Sequence, residues 1–374
     1  MQKTINSEAL LAALSQHGLT QRELAEQIGV SSQAVTNWVK GKDFPRPPKL
    51  LKLSTVLRLG FDQLVDTVDE GRPIVAFRKK ANAKTTELHI SQAIAVGKLL
   101  KPLVAFLPDI QALRTLITSP STEYLKLEHA VMQTRARLGI GSQAVLGYEH
   151  IIREFKTSGA VLVPVMWGSK GKHENALHIR LPKEDVTFVF LNLDTRLEDF
   201  KFWMAHELAH VYTPDLAGTN EGEDFADAFA AALLFPRICA EAAYHDAAAQ
   251  RSAADVLGVL KKHAQLHMIS LNTVYQQVKL YAKAAQHPPL AVDEKRMHAT
   301  RNTSPANLVS QALFDPLPPT PDVYISACQN TFETDFFHAL QRMIRENGIG
   351  PSYIQQVMAI PLQDAHALHE RLRH

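Results

Sequence analysis

Cysteine is almost missing from this chain. Two in 374 residues, Cys239 and Cys328, argue against a disulfide framework and fit a reducing compartment. An excess of one charge is lacking too. Forty Lys and Arg against 38 Asp and Glu leave a formal net charge of +2, so no global field draws the chain to nucleic acid or to a membrane, and any such contact has to come from a local patch. Long apolar runs are absent as well: the most apolar region, residues 90–107, is broken by Lys98, Lys101 and Pro102 and fails as a membrane span. With no secretory signal opening the chain, a cytoplasmic location and no membrane partner are expected. What is left, 46% hydrophobic and 21% charged, is an ordinary globular composition with room for two or three domains.

Against that background the stretch from Thr195 to Pro236 stands out. Its centre is His206-Glu207-Leu208-Ala209-His210, an HExxH run. Two residues four apart lie one above the other on a helix, so His206 and His210 can aim both imidazoles at one point, which suits a tetrahedral zinc ion. Glu207 lies about 100° further round, beside that point but out of the ligand row, where a general base belongs. Leu197, Phe200, Met204, Leu208 and Val211 form an apolar stripe on another side. Thr195 with Glu198 reads as a capping box that starts the helix, and Pro214 ends it.

Two histidines hold zinc poorly without a third protein ligand. A second helix, Gly222 to Leu234, supplies it, with Phe225, Phe229, Ala232 and Leu233 as its packing face and Pro236 as its end. Glu223 on its first turn is assigned as the third ligand, with Glu221 as the fallback. Asp227, one turn on, is placed behind the ligands to accept the free ring N–H of a ligating histidine. The fourth position is left to water, as a catalytic zinc site needs.

The segments FWMAHELAH and EDFADAFAAALLFP resemble the ImmA/IrrE family of zinc metallopeptidases over roughly residues 120 to 290. Ala209 stands where glycine is usual and Phe235 where methionine is common. The resemblance implies a gluzincin-like site with His206, His210 and Glu223 on zinc and Glu207 as base. It also implies an anti-repressor, a peptidase that cuts a transcription repressor at one place. Three short strands, Ala160 to Val165, Ala176 to Leu181 and Val186 to Asn192, precede the zinc helix, and an edge of that sheet can take a substrate peptide as an added strand. Trp167 and His173 in the intervening loop are surface residues or cleft lining. Tyr212 and His173 are weak candidates for the oxyanion donor, and Cys239 is expected to pack as a buried thiol.

The N-terminus is a separate unit. Asn6 or Ser7 can cap a first helix, Thr20 a second through Ile28, and Ser31 or Ser32 a third through Val39, with Gly29 at the turn between the last two. The segment from Gly18 to Leu57, GLTQRELAEQIGVSSQAVTNWVKGKDFPRPPKLLKLSTVL, resembles the Xre/Cro repressor-type helix-turn-helix family. By that resemblance Ser32, Gln33, Thr36 and Asn37 face the major groove of double-stranded DNA, while Gln21, Lys40, Lys42 and Arg46 hold phosphates. From Met1 to Val65 there are eight Lys and Arg against five acids.

The expected architecture is mainly α with a small sheet (α+β). It comprises a five-helix-type helix-turn-helix domain over residues 1–70, a helical linker over 71–120 and a zincin-like peptidase domain over 121–290. A C-terminal helical region of no assigned role occupies 291–374. The expected activity is a DNA-tethered, zinc-dependent site-specific peptidase acting on a partner repressor or regulator, with a homodimer as the expected assembly. A second expectation is a transcription regulator whose peptidase-like domain serves as a sensor or dimerisation module. A third is a toxin that depends on His206 and His210.

Overall fold

The computed structural model describes residues 2–40, 43–68, 71–76, 87–108, 115–167, 176–292, 294, 297 and 307–374. Contacts divide the chain into two units, Met1–Arg72 and Pro73–His374.

In the first unit α1 (Ser7–His17), α2 (Gln21–Ile28), α3 (Ser32–Val39), α4 (Pro47–Leu57) and α5 (Phe61–Leu64) enclose Leu10, Leu14, Leu24, Ile28, Val35, Trp38, Leu53, Leu57 and Leu64. The caps left open by the sequence resolve to Asn6, which accepts from the Ala9 amide, and Ser31, which accepts from the Ala34 amide. Thr20 and Glu23 form a reciprocal capping box. Gly29 ends α2 at φ 70°, a left-handed conformation that glycine adopts without a Cβ clash. Lys49 Nζ donates to the carbonyls of Ile28 and Gly29 at 2.9 and 2.8 Å, tying α4 to the negative end of α2. An antiparallel pair, β1 (Gln2–Ile5) with β2 (Val65–Val68), joins the two ends of this unit.

The second unit is built on a four-stranded sheet in the order β3-β5-β6-β4. Strands β4 (Ala160–Val165), β5 (Ala176–Leu181) and β6 (Val186–Asn192) have the expected bounds. β4 runs parallel to β6, and β5 is antiparallel to it. Pro164 sits on an edge strand, where its missing N–H costs no ladder bond, and its carbonyl accepts from Tyr324 Oη. The fourth strand, β3 (Ile74–Ala76), comes from the segment expected to be a helical connection, and pairs with β5 in the register Ile74–Arg180, Val75–Ile179, Ala76–His178.

That segment continues into α6 (Glu87–Leu100) and a 3-10 turn, Lys101–Phe106, and places Leu100, Leu103 and Phe106 in the main core. The C-terminal helices α15 (Pro321–Phe332), α16 (Phe336–Asn347), α17 (Pro351–Met358) and α18 (Leu362–Arg373) enter the same core through Phe332, Phe336, Phe337, Leu340, Ile354 and Met358. α14 (Val309–Leu313) precedes them. The three stretches distinguished in the sequence after residue 70 therefore share one hydrophobic interior.

Between sheet and C-terminus lie α7 (Tyr124–Arg137), α8 (Tyr148–Thr157), α9 (Leu197–Tyr212), α10 (Asn220–Leu234), α11 (Arg237–Ala248), α12 (Ala253–His267) and α13 (Leu271–Ala284). α9 carries the HExxH run. Its start differs from the expected capping box: Arg196 is the N-cap and makes no side-chain cap bond, while Thr195 Oγ1 donates to the Asn192 carbonyl at 2.7 Å. The Leu197 amide instead donates to the Asn307 carbonyl at 3.0 Å, and Ser310 Oγ donates to Asp194 Oδ1 at 2.8 Å. A distant segment thus does the work that a local cap was expected to do. The expected single stripe is also exceeded, because Trp203, Ala205, His206, Glu207, Ala209 and His210 are buried along with Phe200, Met204 and Leu208. No helix among the described residues is long and apolar enough to cross a membrane.

Arg135 on α7 is fully buried, and its guanidinium donates to the carbonyls of Leu233 at 2.8 Å and Gly141 at 2.9 Å, and to that of Ala144. It locks the end of α10 to the loop after α7. Arg135→Met leaves these buried acceptors unpaired and is expected to lower unfolding stability by roughly 3 kcal/mol or more. Urea unfolding followed by circular dichroism measures this, and a loss under about 1 kcal/mol would contradict it.

Candidate metal centre and helix-turn-helix face

α9 and α10 pack along each other. The turn between them is tight, since a Cβ on Gly222 would stand 2.1 Å from the Leu216 carbonyl oxygen, so only glycine fits where α10 begins. Thr219 caps α10 by accepting from the Gly222 amide at 3.0 Å, and Glu221 and Glu223 fall in its positively polarised first turn. Glu223 is thereby held opposite the two histidines of α9.

His206 Nε2 lies 3.2 Å from His210 Nε2, His206 Nε2 lies 3.4 Å from Glu223 Oε2, and His210 Nε2 lies 3.3 Å from Glu223 Oε1. Zinc bonds of about 2.0–2.1 Å in tetrahedral geometry put ligand atoms roughly 3.3–3.4 Å apart, so the three separations are those of one face of a zinc tetrahedron. Behind them, Asp227 Oδ1 lies 3.0 Å from His206 Nδ1, so the other ring nitrogen faces the cluster. His206, His210 and Glu223 are grouped, while Glu221 is exposed and outside the cluster. Glu207 is 4% exposed, next to this face and not part of it.

Sequence reasoning missed one neighbour. His178 on β5 is completely buried, its Nδ1 is 3.4 Å from Glu207 Oε2, and its ring meets that of His210 edge-on with centroids 5.5 Å apart. The segment ALHIRL marks a histidine inside a strand, but both faces of β5 are largely buried, so alternation does not say which face looks at α9.

Other candidates lie elsewhere. Tyr212 is buried with its hydroxyl donating to Glu154 Oε1 at 2.8 Å and Arg137 over its ring, which removes it as an oxyanion donor. The Trp167 indole N–H donates to the Met358 carbonyl at 2.8 Å and anchors the C-terminal helices. The Cys239 thiol is buried, with burial pushing its pKa up, and its sulfur lies 3.7 Å from the Gln143 carbonyl, outside the metal-ligand group. His173 falls outside the described residues. In the sheet expected to offer an edge to a substrate strand, β5 is flanked by β3 and β6, and the two edges are β3 and β4.

In the first unit Ser32 and Gln33 are exposed on α3, and Thr36 and Asn37 are half-buried one turn further on. Gln33 Nε2 donates to Asn37 Oδ1 at 2.9 Å, and Thr36 Oγ1 is 3.1 Å from Gln21 Oε1, so the α2 N-terminus and α3 share one polar face. Lys40 and Arg46 are exposed beyond it, and Lys42 falls outside the described residues. Residues 10–64 match the helix-turn-helix family. The matched segment runs from α1 to the end of α5 and supports a DNA-binding regulator of Xre type. No curated protein and no solved structure matches the chain significantly.

Burial works against a charge on His206, but the carboxylates of Asp227 and Glu223 overcome it and push its pKa up to about 9. Burial likewise raises Glu223, and the two histidines outweigh it and bring its pKa down to about 2. His206 above its ordinary 6.5 gives stability that is complete below pH 6.5 and lost as pH rises through 9. Glu223 below its ordinary 4.5 gives stability present above pH 4.5 and lost as pH falls through 2. Thermal unfolding of metal-free protein is therefore expected to show a falling Tm between pH 6.5 and 9 that His206→Asn flattens. With zinc present the slope over that range reverses, because binding requires His206 to be neutral. An alkaline limb unchanged in the variant would contradict the assignment.

Proposed function

We propose that this chain is a DNA-binding, zinc-dependent metallopeptidase of the gluzincin type that regulates transcription by cutting a partner repressor or regulator. The observation that carries this is the spacing of His206, His210 and Glu223, with the Glu207 carboxylate beside them and Asp227 behind His206. His206, His210 and Glu223 would hold a zinc ion there, which would supply a Lewis acid and acidify a bound water. Glu207 would be the general base beside it, moving a proton toward the leaving amine. Asp227 holds the His206 tautomer, and the apolar surroundings of α9 keep bulk water out. The helix-turn-helix unit brings this chemistry to an operator, where the substrate is a regulator bound nearby, and recognition of paired half-sites implies a homodimer.

A second reading takes the peptidase-like unit as a sensor or dimerisation module with little turnover. It is favoured by the pairing of β3 with the edge of β5 and by the near-complete burial of His206, Glu207 and His210.

Elemental analysis of purified protein is expected to give about one zinc per chain, much reduced in Glu223→Ala with the circular dichroism spectrum unchanged. No zinc in either after supplementation would sink the metallopeptidase reading. Glu207→Gln is expected to keep the zinc and abolish cleavage of the co-encoded regulator. Regulation that survives this substitution favours the sensor reading.

On DNA, Gln33→Ala and Asn37→Ala are expected to relax sequence selectivity by about 1–3 kcal/mol at the bases they face. Lys40→Ala and Arg46→Ala are expected to weaken binding evenly across sequences and to lower the salt slope by about 1 each. Titration of operator and scrambled duplexes over a range of salt concentrations separates the two kinds of contact.

A further inference from the structure

We propose that His178 is a positioning residue for Glu207, anchoring its carboxylate from the sheet side so that the other carboxylate oxygen is directed at the metal-ligand face. The inference rests on the metallopeptidase reading above and adds to it a residue that neither the HExxH run nor the second helix contains.

Three observations converge. His178 is 0% exposed, its Nδ1 stands 3.4 Å from Glu207 Oε2, and its ring packs edge-on to that of the ligand His210. Neither ring nitrogen of His178 has a hydrogen-bond partner among the described residues, and neither does Glu207 Oε2. A buried imidazole with nothing to bond costs about 1–3 kcal/mol, whereas a phenylalanine or leucine would fill the same space without that penalty. The polar atoms are therefore matched to each other, separated by a few tenths of an ångström more than a formed hydrogen bond.

A neutral imidazole carries one N–H and one lone pair. With the N–H on Nδ1, the ring donates to Glu207 Oε2 and leaves the opposite oxygen clear of that bond. Glu207 belongs to α9 and His178 to β5, so the carboxylate is gripped from two elements and loses the side-chain rotation that a helix anchor alone allows.

Acetohydroxamate is a suitable probe, because a hydroxamic acid chelating a metal must give its proton to a base beside the ion. Full-length protein loaded with cobalt(II) reports its binding through visible absorption. His178→Leu is expected to weaken acetohydroxamate about 10–100-fold with cobalt affinity unchanged. His178→Asn, whose amide N–H stands where Nδ1 stood, is expected to recover most of that loss. In a Glu207→Gln background His178→Leu is expected to have no further effect.

His178→Phe answers the same question if the leucine variant does not fold. The proposal is overturned if either apolar variant binds acetohydroxamate like the wild type. It is equally overturned if the loss persists undiminished without Glu207, or if cobalt affinity falls in parallel, which would assign His178 to the ligands or to packing. A wild type that binds no metal overturns the metallopeptidase reading itself, a result distinct from an active wild type with an indifferent His178.

Discussion

Two imidazole nitrogens and a carboxylate held 3.2 to 3.4 Å apart inside an apolar core form a pocket of negative potential that has to contain positive charge. The carboxylates of Asp227 and Glu223 face the two ring nitrogens of His206 and hold its pKa above the ordinary value against the effect of burial. The rest of the second unit can be understood as what it takes to keep this cluster dry and correctly spaced. Gly222 allows α10 to begin against the Leu216 carbonyl, Arg135 pins the far end of α10, and the segment around Asn307 to Ser310 holds the first turn of α9.

This constraint explains the unusual burial of α9. An amphipathic helix on a protein surface would leave its histidines wet, and the high dielectric of water would weaken their attraction to the carboxylates. Here the sheet, α8 and α10 pack against α9, with Phe332 of α15 against Phe200, so that Glu207 and both histidines sit within a few per cent of complete burial. β3 pairs with β5 at His178, through the register Ala76–His178.

The first unit follows a different logic. Its core is small and self-contained, its helices are closed by local caps at Asn6, Thr20 and Ser31, and its functional face is polar and exposed rather than buried. With a formal net charge of only +2 over the whole chain, attraction to DNA has to come from the few basic residues near α3, such as Lys40 and Arg46. Phosphate contacts of that kind set position and carry no sequence information by themselves.

What could be read from the sequence was whatever depends on neighbours in the chain. The four-residue spacing of His206 and His210, the placement of Glu223 and Asp227 one turn apart, the N-cap at Thr20 and the three β-branched runs are local, and local sterics and hydrogen bonding decide them. The misreadings all arose where a distant segment outbid a local preference. Thr195 lost its capping role to a backbone bond from Asn307, and the supposed connection supplied β3 because the open edge of β5 was a stronger partner than solvent. The C-terminal helices joined the main core through apolar faces that any partner could have covered. His178 belongs with these. Its chemistry is visible in the sequence, but only the packing of β5 against α9 decides that it meets Glu207, because that contact depends on tertiary geometry that residue order does not encode locally.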